Sequence, residues 1–364
     1  MSAKSVKPLS AGGAPAQGLL TRKLLLPVGG AVLASLLLAV LGISLPSDSY
    51  ILFSGFLLFL FMTQSLAWNI IGGFGGQTSF GHATFFGIGA YATALLQDRA
   101  GWPPVLALLA GALAAAVFSL IWGYPLFRLR GFYFAIATIG IGEATRLIAL
   151  SPLRDLTGGA SGFRLSTAGG SGRQAQYLLA LGLVLATFLV SYWVRNSKLG
   201  LGLFALNMDP EAAETLGVDT TRMKAIALAL SAFIVGITGG VYARAFLYIN
   251  PNDVFAFSAS IAMVLMTVIG GVGTLVGPVL GAVIYVVIQD QLGAAELTIA
   301  GRTLPFRDIQ LGLYGLLLAM IILFEPAGLV GFFNRIGRLF RRRAPSSPQA
   351  AAQSALLRDE TGKE

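Results

Sequence analysis

The sequence contains no cysteine and a single histidine, His82, and only 11% of its 364 residues carry a charged side chain. The missing cysteines exclude disulfides, thiolate metal sites and thiol chemistry. One histidine excludes a zinc centre built from imidazoles, and no metal site is expected. The shortage of charge has the widest consequence. Soluble domains carry about 25% charged residues, and a chain with so few cannot clothe a water-exposed surface. With 55% hydrophobic residues and a mean hydropathy of +0.77, the chain reads as an all-α integral membrane protein solvated by lipid. The net charge of +9 does not point to nucleic acid, because the basic residues fall between apolar segments and at the ends, as they do where they orient a chain in a membrane. A phosphate loop is also missing: Gly362-Lys363 lacks the upstream glycine and the following hydroxyl residue of GxxxxGK[ST]. No nucleophile–base set stands out, so the chain is not expected to be an enzyme.

A crossing helix needs about 20 apolar residues. Candidate spans are 24–45, 50–71, 77–96, 104–127, 131–150, 177–194, 225–247, 257–270, 275–288 and 309–332, about ten in all. They define a membrane domain over 23–333, after a flexible N-terminal segment, 1–22, and before a tail, 334–364, basic at first and then low in complexity. The first apolar run lacks a small-x-small cleavage site and is expected to remain as a span. With ten spans, Arg22, Lys23, Arg128, Arg130, Arg195, Lys198, Arg222, Lys224, Arg335, Arg338 and Arg341 to Arg343 fall on one side, which predicts both termini in the cytoplasm.

Within this apolar background lies IIGGFGGQTSFGHATFFGIGAY, residues 70–91, with seven glycines and the lone histidine. Gly72, Gly73, Gly75 and Gly76 are too dense for a regular helix and predict a turn or unwound segment, which a membrane tolerates only in a cavity or inside protein. A second cluster, Gly270, Gly271, Gly273 and Gly277, predicts another break on the same side. Two such breaks fit a pathway between repeats, with Gln77, Thr78, Ser79 and His82 as candidates to face it. Ordinary hydrogen bonding between helices explains those residues as well. For His82 a proton relay and a neutral imidazole bracing the break against a backbone carbonyl are both open. Glu143 and Arg146, three apart on one helical face, lie inside a span and must look into the bundle or a wet cavity, as a gate, a contact for a zwitterion, or a structural pair.

The segment NMDPEAAETLGVDTTRMK is different in kind. Asp209 is a good N-cap, Pro210 suits the first helical position, Glu211 favours the positive end of the helix dipole, and Gly217 suits a left-handed C-terminal cap. A helix of about two turns, Pro210 to Leu216, is predicted in a water-side loop. Its Ala212, Ala213 and Leu216 form a small apolar face, suited to a partner's groove or to the bilayer surface.

The spacing Glu211-Ala212-Ala213-x-x-x-Gly217 resembles the EAA loop of ABC importer permeases. Together with residues 70–91, the segment LGLFALNMDPEAAETLGVDTTRMKAIALALSAFIVGITGGVYA and the segment NPNDVFAFSASIAMVLMTVIGGVGTLVGPVLGA, it resembles the LivM-like half of the branched-chain amino acid permease family. The resemblance covers most of residues 65 to 290. It implies an ABC importer permease in a bacterial inner membrane, forming half of a pathway for branched-chain or other small apolar amino acids, with 209–217 as the coupling helix. It implies a second, LivH-like permease subunit, two ATP-binding cassette subunits that hold ATP and magnesium, and an extracytoplasmic binding protein. Urea or a short amide is the alternative cargo, and an ion-coupled secondary transporter the alternative class.

Overall fold

The computed structural model describes residues 17–129, 131–165, 172–293, 296–299, 302–324, 328–332 and 335. The expectations for residues 1–16, for Arg130 and for the tail at Arg338 and Arg341 to Arg343 lie outside them.

Helix α1 (Gln17–Ser44) begins earlier than the expected boundary at residue 23. Helix α2 (Tyr50–Asn69) starts at Ser49, whose hydroxyl accepts the Ile51 amide at 3.2 Å, and runs on as a π-helical turn, Ile70–Phe74. After an irregular stretch come α3 (His82–Asp98), α4 (Pro104–Leu126), α5 (Phe132–Leu150) and the short α6 (Arg154–Thr157). Strand β1 (Phe163–Arg164) precedes α7 (Arg173–Asn196), α8 (Lys198–Met208), α9 (Pro210–Thr215) and α10 (Thr220–Phe246). Strand β2 (Tyr248–Ile249), α11 (Pro251–Val254), α12 (Phe257–Gly270), α13 (Gly277–Gly293), the hairpin β3 (Glu296–Ile299) and β4 (Arg302–Pro305), and α14 (Phe306–Phe324) complete the order.

Among the described residues seven segments are long and apolar enough to cross a membrane: Pro27–Ser44, Tyr50–Phe74, Pro104–Leu126, Phe132–Leu150, Arg173–Asn196, Thr220–Phe246 and Pro251–Gly270. The other three expected spans are helical as well. The one expected over 77–96 loses its first turn because Gln77 to Gly81 are irregular, leaving a helix of 17 residues. Helix α13 has 17 residues and α14 has 19, with apolar stretches that include Gly277–Asp290 and Gly312–Ile321. Helix α8 and the β3–β4 hairpin were not foreseen.

The centre is built from α2, α3 and α10, with Trp68, Phe56, Phe74 and Phe134 among the largest fully buried side chains. Helices α3 and α10 meet at glycine: a Cβ on Gly89 would run into the backbone of Gly236, and one on Gly239 into that of Phe86. Small residues permit this approach where lipid supplies no hydrophobic drive between helices. Aliphatic residues of α1 and α4, such as Leu37, Val40 and Ile121, remain exposed, as suits a lipid-facing rim.

The connections sort onto two faces. On one, β1 pairs antiparallel with β2, Phe163 opposite Ile249. There Arg99 donates to Asp155 O at 2.9 Å, Gln174 to Leu45 O at 2.8 Å, and the Tyr50 hydroxyl to Asp290 at 2.6 Å. On the other lie the α2–α3 and α12–α13 connections and the α8–α9 loop, joined through Asn69 and Asn207. Helices α2 and α12 run side by side in the same direction, since Ser65 Oγ meets Thr267 Oγ1 at 3.0 Å and Asn69 meets Gly273 and Thr274 further along.

Candidate functional site

The two glycine clusters form one structure. The first is a π-helical turn followed by irregular backbone from Gly75 to Gly81, so Gly72 and Gly73 lie in a helical turn of wider radius rather than in the unwound part. The second ends α12 at Gly270, with Gly271 as its cap and Gly273 at φ 74°. Gly73 packs on the second break: a Cβ there would overlap the Asn69 carboxamide and stand 2.7 Å from Gly273 N. The buried Asn69 closes the joint. Its Oδ1 accepts the Gly273 amide at 2.9 Å and its Nδ2 donates to Thr274 O at 2.8 Å. Asn207, at the end of α8, donates to Gly73 O at 3.3 Å.

His82 is completely buried at the start of α3. Its Nε2 lies 2.9 Å from Ser231 Oγ and its Nδ1 lies 3.1 Å from Ser79 Oγ. The Ser231 hydroxyl donates its one proton to Ala67 O at 2.7 Å. It must therefore accept from the imidazole, which assigns the proton to Nε2 and leaves Nδ1 to accept from Ser79. The ring is neutral and both nitrogens are committed. The expected backbone carbonyl is reached only through Ser231. The same segment is pinned by Trp68 Nε1 donating to Ser79 O at 2.7 Å, by the Phe80 amide to Thr138 Oγ1 at 3.1 Å, and by the Ala83 amide to Ser260 Oγ at 2.9 Å. His82 and Ser79 thus brace the break against α10 and α2, and the Phe80 and Ala83 amides against α5 and α12, while Gln77 is half-buried and Thr78 exposed at the rim. Replacing His82 with leucine strands the Ser79 hydroxyl in a buried site. The purified protein is expected to lose roughly 1–2 kcal/mol of stability, read as a lower melting temperature in detergent, with glutamine in its place losing less.

Glu143 and Arg146 stand apart from this network. The guanidinium pairs with Glu143, Nε to Oε2 at 2.9 Å, and also donates to Asn252 Oδ1 of α11. Glu143 and Arg146 lie about 10 and 6 Å from the C-terminal end of α5 at 1.5 Å per residue, yet the Arg146 and Glu143 side chains are 24% and 49% exposed. On the far side of α5 a crevice of about 610 Å³ opens between α3, α4 and α5, walled by Ile88, Leu95, Phe118, Trp122, Ile141 and Ile148. Its hydroxyls at Tyr91, Thr145 and Thr157 donate to backbone carbonyls, so this apolar space is poorly suited to a zwitterion.

Helix α9 is closed at both ends. The Asp209 carboxylate accepts the Glu211 and Ala212 amides at 2.9 and 3.1 Å, and Pro210 holds the first position. At the other end the Val218 amide donates to Ala213 O at 3.0 Å and the Gly217 amide to Glu214 O at 2.9 Å. With Gly217 at φ 83°, this is a Schellman cap. One expectation is corrected. Ala213 is turned into the protein and is 2% exposed, while Leu216 is 83% and Met208 89% exposed. The presented face is therefore Met208, Ala212 and Leu216, and Ala213 seats the helix on its own chain. The Thr220 hydroxyl donates to Glu214 at 2.6 Å and anchors it to α10.

The sequence did not single out Asn69, Asn207, Ser231 or Asn252. The signal was present in Asn69 and Ser231, isolated polar residues in apolar helices, which lipid-side physics makes expensive without a partner.

These features define a multi-pass helical membrane protein with paired glycine breaks and a capped loop helix. The family model described as branched-chain amino acid transport system / permease component matches residues 50–324, and the chain belongs to that family. The high-affinity branched-chain amino acid transport system permease protein LivM of Salmonella typhimurium is 28% identical over 300 residues, 74% of this chain and 68% of that protein. A probable branched-chain amino acid transport permease protein LivM of Methanocaldococcus jannaschii is 25% identical over 312 residues, 74% of this chain and 90% of that one. The LivH permease protein of Escherichia coli is 23% identical over 296 residues, 73% and 90% respectively. No solved structure matches.

Proposed function

We propose that this chain is a LivM-like permease subunit of an ATP-driven importer for branched-chain aliphatic amino acids. It works in a bacterial inner membrane, crosses about ten times and keeps both termini in the cytoplasm. The observation that carries this reading is α9: a six-residue helix in water is marginal alone, yet it is capped at both ends, seated through Ala213 and Glu214, and holds Met208 and Leu216 out from the protein. That is the form of a docking element. One of two ATP-binding cassette subunits, which hold the ATP and magnesium, engages it. The arginine bias favours the cytoplasm for this face.

The exposed pair Glu143–Arg146 supports the half-pathway arrangement. A charged group in a lipid-facing span costs about 3 kcal/mol, so this face of α5 meets a second, LivH-like permease subunit across a wet route. An extracytoplasmic binding protein delivers the amino acid on the β1–β2 side. The cargo is assigned from the names that the relatives carry. Urea or a short amide is the alternative within the same architecture. Proton or sodium coupling is disfavoured by the closed bonding of His82.

The test uses Met208→Glu with Leu216→Glu. Both residues are exposed, so the fold is spared, whereas a charge at Ala213 would unseat α9 itself. The complex isolated through this chain is expected to keep the second permease, lose its ATPase subunits and lose uptake more than tenfold. Retention of the ATPase subunits by the double variant contradicts the docking role of α9.

A further inference from the structure

The docking helix and the two glycine breaks are joined by a continuous set of contacts that the proposed function does not use. Helix α8 passes directly into α9, with Asp209 as the C-cap of one and the N-cap of the other. The α8 side of this junction sits against the first break. Leu203 is fully buried beside Gly75, the Phe204 ring meets Phe74 with centroids 5.3 Å apart, and Asn207 donates to Gly73 O at 3.3 Å. The Asn207 carboxamide also fills the space where a Cβ of Gly76 would be. From Gly73 the contact continues to Gly273, and Asn69 bridges the same gap with two bonds of 2.8 and 2.9 Å to the second break.

The links differ in strength. Asn69 makes a donor and an acceptor bond at short range from a buried position, so it ties the two breaks into one body. Asn207 makes a single long bond at the edge, directional but weak. The backbone it touches is able to rearrange: a π-helical turn, followed by Gly76 at φ 65° and, across the joint, Gly273 at φ 74°. Turns of this kind recur at functional positions in helices. A firm joint between breaks and a light one to the docking helix is what a lever needs, since α9 can pull on the breaks without holding them shut.

Resting on the reading of α9 as the docking helix, we propose that Asn207 and Asn69 are the positioning residues that carry movement of α9 into both glycine breaks at once. Asn207 transmits displacement of the α8–α9 junction to Gly73. Asn69 makes the second break follow the first, so that α3 and α13, which begin beyond the two breaks, change together.

The experiment reconstitutes the complete transporter with Asn207→Ala, Asn69→Asp or, as a control, Asn196→Ala, which removes a side chain that donates to Tyr192 O at 2.8 Å on the exposed end of α7. Amino acid uptake and ATP hydrolysis are measured on the same vesicles. Asn207→Ala is expected to keep its ATPase subunits and hydrolysis within about twofold, while the amino acid moved per ATP falls at least tenfold. Asn69→Asp keeps the acceptor for Gly273 N–H but loses the donor to Thr274 O. It is expected to uncouple in the same way, which guards against Asn207 being a local effect. Asn196→Ala is expected to retain the unaltered ratio. A ratio unchanged in Asn207→Ala, with ATPase subunits present, overturns the relay and leaves the docking helix standing. ATPase subunits missing from the unaltered transporter overturn both.

Discussion

Gly73→Ala is expected to abolish accumulation of folded protein, although it adds one methyl group. The added Cβ would overlap the Asn69 carboxamide and stand 2.7 Å from Gly273 N. One of these neighbours is backbone and the other is held by two hydrogen bonds, so neither yields cheaply. If the joint opens, the Gly273 amide and Thr274 carbonyl lose Asn69 in a buried site, at about 1–3 kcal/mol each. A total on the order of 3–5 kcal/mol is a large part of the 5–15 kcal/mol that holds a typical domain together. The comparison is Gly182→Ala in α7, where nothing lies within 4 Å of the added carbon and alanine is the better helix former. Yield and monodispersity in detergent are the readout: normal for Gly182→Ala, lost for Gly73→Ala. Normal yield from both would show that the two breaks do not touch.

Arg146→Leu is expected to cost the other large effect, and the form of the loss separates two roles. Removing the guanidinium leaves the Glu143 carboxylate without its partner inside a span and frees Asn252 on α11. Breaking an ion pair from one side is costly, whereas replacing both members with apolar residues is often neutral. The single variant should therefore lower both assembly and uptake. The double variant, Glu143→Leu with Arg146→Leu, should recover assembly. If the pair lines the route of a zwitterion, uptake in the double variant stays more than tenfold below the unaltered protein. Exchange of the charges, Glu143→Arg with Arg146→Glu, should recover part of it. Full uptake in the apolar double variant would make the pair a brace between α5 and α11 and no more.

The parts of this structure that could be read in advance are those fixed by neighbours in the chain. Hydropathy located the helices, because a span's solvent is uniform and its length is set by the bilayer. The caps of α9 were legible because Asp209, Pro210 and Gly217 act on amides and carbonyls within a few residues. The glycine clusters announced breaks for the same local reason. What was not legible depends on distant partners. Asn69 looks like any polar residue near a helix end until Gly273 and Thr274 arrive from some 205 residues away. Ser231, which settles the tautomer of His82, lies 149 residues from it. Ala213 was assigned to the presented face because periodicity shows which residues share a side, and not whether that side meets a partner or the chain's own core. Gly72, Gly73, Gly75 and Gly76 predict a turn or an unwound segment, and the structure has a π-helical turn at Ile70–Phe74 followed by irregular backbone. The density of glycine was a sound signal, but a π-helical turn meets the need for close approach while keeping its carbonyls bonded.

The decisive measurement is uptake of radiolabelled leucine by vesicles containing the complex isolated through this chain, with ATP enclosed or outside and ion gradients set independently. Accumulation that requires ATP on the α9 side and a binding protein on the other, and that excess isoleucine or valine suppresses, is the predicted result. Accumulation driven by a proton or sodium gradient without ATP, from a preparation containing no ATPase subunit, would contradict the importer and return attention to Glu143 and Arg146 as the seat of ion coupling.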